Sequence, residues 1–157
     1  MFNFFKKENK VFSPMSGKCV SLEEVPDEAF SQKLLGDGIA LIPSDGKIVA
    51  PFECIVEQVF DTHHAYVLKG AENLEVLLHI GINTVELKGH GFENKVEVGQ
   101  NLSLGDLISY VDIDFISSKG YALHTPLIFT NHENFKFDFK FGEVKAGLTE
   151  IAKYRRK

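Results

Sequence analysis

A chain of 157 residues, 44% hydrophobic and 25% charged, has the make-up of one folded domain with a core. No apolar run reaches the roughly 18 residues of a membrane span, and a net charge of −5 excludes the basic face that nucleic-acid binding needs. Cys19 and Cys54 lack metal-ligand spacing and no export signal precedes them, so they read as reduced thiols of a cytosolic protein.

Residues 1–10 mix Phe2, Phe4 and Phe5 with Lys6 and Lys7 and read as a short tail, with 11–157 as a single domain. Strand-length runs rich in β-branched and aromatic residues follow at 38–42, 47–50, 55–60, 65–68, 74–80, 107–111 and 126–130. Turn signals separate them at Ser44-Asp45-Gly46, Gly89-His90-Gly91 and Gly105-Asp106. This pattern predicts an all-β fold, an antiparallel sandwich or barrel-like domain with short helical segments. Those segments are 27–35, stopped by Gly36, and 112–119, stopped by Gly120. The alternating Phe135, Phe137, Phe139 and Phe141 predict a strand with one buried face. The basic end, Lys153 to Lys157, reads as a solvated terminus.

Of the histidines, His64 and His79 stand out. The segment Gly70-Ala71-Glu72-Asn73 joins two predicted strands and suits a hairpin turn, because glycine and asparagine tolerate positive φ. Pairing Lys69 with Leu74 carries His64 directly opposite His79, with Cβ atoms about 4.5–5.5 Å apart. Thr62 and Gly81 form the next pair on that face. Alternation sends Leu74, Val76, Leu78 and Ile80 to the core, and Glu75, Leu77 and His79 to the other face. Leu77 with Phe60 and Tyr66 then makes an apolar surround for two histidines. His63 alternates away from the pair.

Such a pair has a definite chemistry. A neutral imidazole carries one unprotonated nitrogen that attacks phosphorus, and a neighbouring N–H offsets the phosphoryl charge. A Thr62 hydroxyl would fix the tautomer of the second ring, and a glycine at 81 leaves room for a phosphate. From the residues alone two other readings stay open: a chance cross-strand pair on a solvated face, and a zinc site using His64 and His79. The latter falls short of the four ligands a closed site takes. No other cofactor is required.

These residues carry a resemblance. Thr62-His63-His64-Ala65-Tyr66, followed by Val76-Leu77-Leu78-His79-Ile80-Gly81-Ile82-Asn83-Thr84-Val85-Glu86-Leu87-Lys88-Gly89, resembles the glucose-type enzyme IIA of the phosphoenolpyruvate-dependent sugar phosphotransferase system. Pro14-Met15-Ser16-Gly17, Leu34 to Ala40, Val49-Ala50-Pro51 and Gly91-Phe92 match as well. The resemblance implies a β-sandwich in which His79 is phosphorylated through Nε2, His64 stabilises the phosphoryl group and Thr62 holds His64. It implies the carrier HPr as donor and a cysteine of a sugar-specific IIB domain as acceptor, with a membrane IIC transporter beyond. Together with Phe60 and Leu77, the expected partner-facing residues are Asp37, Ile39, Gly81 and Asn83. Asn73 stands where the family usually has glycine, and Asn83 where it usually has aspartate. A longer tail in some members is linked to membrane association, and here only the stub of residues 1–10 is present.

Rival readings have less to rest on. A lipoyl-type carrier would use an exposed turn lysine, for which Lys47 is the sole candidate, and a zinc peptidase would need a His-x-His pair that is absent. A regulatory protein on the same fold shares the site. His90, His124 and His132 read as surface polar residues.

Overall fold

The computed structural model describes residues 8–157. Strands β1 (Asn9–Phe12), β2 (Gly17–Ser21), β3 (Asp37–Pro43), β4 (Lys47–Val49), β5 (Cys54–Val59), β6 (Ala65–Lys69) and β7 (Glu75–His79) occupy the first half. Strands β8 (Phe92–Asn94), β9 (Asn101–Leu102), β10 (Leu107–Val111), β11 (Thr125–Phe129), β12 (Phe135–Phe139), β13 (Gly142–Val144) and β14 (Glu150–Arg156) follow. The large sheet runs β13-β2-β3-β11-β7-β6-β5-β9, and two smaller ones run β1-β14-β12 and β4-β10-β8. Every pairing is antiparallel, as the short alternating runs predicted.

Alternation within each strand sets two apolar layers. Leu68, Val76, Leu78, Ile39, Leu41 and Leu127 leave one face of the large sheet and meet Ile48 and Ile108 from one small sheet and Val11, Phe135 and Tyr154 from the other. The opposite face carries Val20, Ala40 and Ile128 under a lid of Leu22, Val25 and Phe30. Helix α1 (Glu28–Ser31) supplies Phe30 and is capped by Asp27, whose carboxylate accepts from Ala29 N at 2.9 Å. Helix α2 (Ile113–Ser118) is capped in the same way by Asp112.

Several expectations need correcting. The first helix is a single turn: Lys33 is left-handed at φ 60°, and Leu34 and Leu35 are 69% and 47% exposed, so no burial supports a second turn. The basic end is no solvated terminus but β14, the middle strand of its sheet, because Ala152 and Tyr154 alternate inward between the charges and Ile151 is buried beside a register shift. β1 begins at Asn9, inside the segment read as tail, while Phe2, Phe4, Phe5, Lys6 and Lys7 lie outside the described residues. Phe141 falls beyond β12 and is 58% exposed, unlike Phe135, Phe137 and Phe139. His124 is half buried, with its Nδ1 enclosed and unpartnered among the described residues, so it is not a simple surface group.

Candidate functional site

β7 lies in the interior of the large sheet between β11 and β6. Its inward residues Val76 and Leu78 are fully buried in the main core, while Leu77 packs on the opposite layer. His79 leaves the strand on that second face, as alternation predicted. The cross-strand partner differs from the expectation. Lys69 pairs with Glu75, not Leu74, and Ala65 faces His79. The cause is the connection: Glu72 and Asn73 are both left-handed, at φ 62° and 61°, and Leu74 is drawn out of the strand into the core.

His64 reaches His79 by another route. It sits just before β6, after a turn in which His63 N donates to Phe60 O at 2.7 Å and His63 takes φ 55°. This break in the alternation lets the His64 ring meet the His79 ring with centroids 5.0 Å apart and planes at 84°. Ile80 N donates to His64 O at 2.7 Å and ties the two segments together.

The hydrogen bonds define the rings' chemistry. His79 Nδ1 is 2.8 Å from Gly81 O. A carbonyl oxygen only accepts, so the proton of the neutral ring is on Nδ1 and the lone pair on Nε2. His64 Nδ1 is 2.6 Å from Thr62 Oγ1. When that hydroxyl donates, the neutral His64 carries its proton on Nε2. Burial pushes the His64 pKa down to about 4, helped by the neighbouring His79. Burial also lowers that of His79, against an opposing pull from the Gly81 carbonyl and the Asp27 carboxylate. Both rings are therefore neutral near pH 7.

Other predicted residues fall into distinct places. Phe60 meets the His64 ring edge-on at 5.6 Å. Leu77 is half buried beside the lid. Asn83 is exposed and left-handed at φ 61°, where it opens the 3-10 turn Thr84–Leu87. Asp37 is held by Lys33 at 3.5 Å, at the far end of β3 from the level of the histidines. Ile39 is not a partner-facing residue: it is 0% exposed, deep in the main core, because its side chain alternates away from the histidine face. Tyr66 is likewise fully buried, with its hydroxyl donating to Asn94 at 2.9 Å. The missing side chain of Gly81 makes room for Thr84 rather than for a ligand. A Cβ there would lie 2.6 Å from Thr84 Cγ2, at φ 75°.

Two residues of the site escaped the sequence reading. Phe30 lies 5.0 Å from the His79 ring, and Asp27 acts on its charge. Their only signal was the Asp27 cap of a short helix, which says nothing of where the helix docks. Among the described residues, no group of three or more His, Cys, Asp or Glu is placed to hold a metal. The two imidazoles alone do not complete a zinc site.

Comparison with known proteins bears on the family and the fold. The family model for the phosphoenolpyruvate-dependent sugar phosphotransferase system, EIIA 1, matches residues 9–135. The glucose-specific EIIA component of Buchnera aphidicola is 41% identical over 94% of this chain and 92% of its own length. A glucose-specific EIICBA component of Staphylococcus saprophyticus is 45% identical over 81% of this chain but only 19% of its own length. The solved glucose permease IIA from Mycoplasma capricolum superposes with a TM-score of 0.91 at 38% identity, covering 96% of this chain and 97% of that one. The chain therefore belongs to the EIIA 1 family and is a phosphocarrier component of the sugar phosphotransferase system.

Proposed function

We propose that His79 Nε2 is the atom that carries the phosphoryl group, taken from histidine-phosphorylated HPr and given to a cysteine of a glucose-type IIB domain. One observation supports this most: the Gly81 carbonyl holds the proton on Nδ1 and leaves Nε2 as the lone-pair nitrogen. In the transfer, the Nε2–P bond forms as the donor's N–P bond breaks. The ring becomes a phospho-imidazolium whose Nδ1–H still donates to Gly81 O. That retained proton keeps the ring a good leaving group for the onward step. His64, oriented by Thr62, donates Nε2–H to a phosphoryl oxygen. Phe60, Leu77 and Asn83 form the surround that both partners meet. Fusion of IIA with IIB and IIC portions in EIICBA relatives supports the IIB acceptor. No helix among the described residues is long and apolar enough to cross a membrane.

The test is incubation with labelled phosphoenolpyruvate, enzyme I and HPr. Acid-labile, base-stable label is expected on the wild type and none on His79→Ala. His64→Ala is expected to accept label and pass it on slowly. A folded His79→Ala that still takes up label would overturn the assignment.

A further inference from the structure

β12 is an outer strand of the sheet β1-β14-β12. On its inner side, Lys140 N donates to Ile151 O at 2.9 Å and Lys157 N to Asn134 O at 3.1 Å. Both bonds fall in the register that pairs Lys136 with Arg155 and Asp138 with Lys153. Hydrogen-bonded positions alternate along an antiparallel strand. Lys136 and Asp138 therefore turn their main-chain groups toward β14, and Phe137 and Phe139 turn theirs outward. Among the described residues no bond outside the ladder reaches the main-chain groups of Phe137 or Phe139. Their rings are half buried against Phe129, at 4.4 and 6.1 Å, while Lys136 and Asp138 are exposed on the other face.

An unpaired edge is a template for another strand, and the sequence of this one selects which. Phe135-Lys136-Phe137-Asp138-Phe139 laid antiparallel to itself about Phe137 sets phenylalanine against phenylalanine and Lys136 against Asp138 at both ends. It also brings the outward N–H and C=O groups of the two Phe137 residues together. Registers centred on Lys136 or Asp138 oppose like charges, which is unfavourable. A register centred on Phe139 would need Lys140, which lies beyond the strand and is held by Glu150 at 2.6 Å.

We propose that this edge pairs with a second copy of the chain, antiparallel and centred on Phe137, in a two-fold dimer with reciprocal Lys136–Asp138 pairs. An edge this short gives a weak, concentration-dependent contact. The sheet lies across the main core from His79, since Phe135 and Tyr154 enter that core and His79 points away from it. The dimer thus leaves both histidine sites open, and it stands or falls independently of the phosphocarrier chemistry.

The test is sedimentation equilibrium of the full chain from low micromolar to near millimolar concentration. The average mass is expected to rise toward that of a dimer, and amide exchange at Phe137 to slow in parallel. Lys136→Asp and Asp138→Lys are each expected to stay monomeric, and the double swap is expected to restore association. Thermal unfolding establishes that each variant folds, and Asp138→Asn replaces Asp138→Lys should the latter fail. A wild type that stays monomeric throughout, single variants that still associate, or a double swap that does not recover would each overturn the proposal.

Discussion

Replacing Thr62 with valine keeps the shape of the side chain and removes one oxygen. That oxygen is 2.6 Å from His64 Nδ1, in a ring only 4% exposed. Water is therefore poorly placed to substitute, and a buried nitrogen left without its partner costs about 1–3 kcal/mol. The neutral ring has two ways to respond. It keeps the proton on Nε2 with Nδ1 unsatisfied, or moves it to Nδ1 and turns a lone pair toward the phosphoryl oxygens. The first response lowers stability, and the second also removes a donor worth about 100-fold in rate where charge is being transferred. Urea unfolding measures the first effect. Quenched-flow transfer of label from the phosphorylated protein to a IIB domain measures the second. Thr62→Ser, which keeps the hydroxyl, is expected to stay near wild type in both. Equal transfer rates for the valine and serine variants would refute the idea that this hydrogen bond sets the tautomer.

Further outcomes follow from the same geometry. His64 is buried neutral, with a pKa near 4 against an ordinary 6.5, so the unfolded chain binds the proton first as pH falls. The stability it contributes is whole above about pH 6.5 and is lost as pH drops toward 4, so urea midpoints in that window should fall more for the wild type than for His64→Gln. Gly81→Ala forces a left-handed alanine at about 1–2 kcal/mol and drives its Cβ into Thr84, so a lowered urea midpoint and weaker label uptake are expected. Phe30→Ala uncovers the His79 ring, so an NMR titration should show its pKa rising toward the ordinary value, with a stability loss of about 3 kcal/mol.

Much of this was legible in the chain because each strand carries its own period. Val76, Leu77, Leu78 and His79 fall on the faces that alternation assigns, whatever strand lies beside them. The partner of His79 was not legible, since register depends on how Gly70 to Leu74 closes. Glu72 adopts a left-handed conformation there that its side chain does not announce. β14 hid behind its charges: Lys153 and Arg155 dominate the composition, while Ala152 and Tyr154 carry the burial. Phe30 and Asp27 were out of reach because their role depends on a packing contact distant in sequence. Ile39 shows the opposite hazard, since a residue inside a matching segment was assigned to the surface while its own alternation turns it inward.

The placement of His79 on an interior strand has a kinetic consequence. The strand that it ends is paired on both sides and its neighbours Leu78 and Ile80 are locked in the core, so His79, as the proposed nucleophile, does not swing between two positions. One fixed nitrogen on one face admits one visitor at a time. On the proposed reading, donor and acceptor alternate in ping-pong fashion, each competing for the ground the other has just left. An excess of spent donor should slow turnover without touching the chemistry itself.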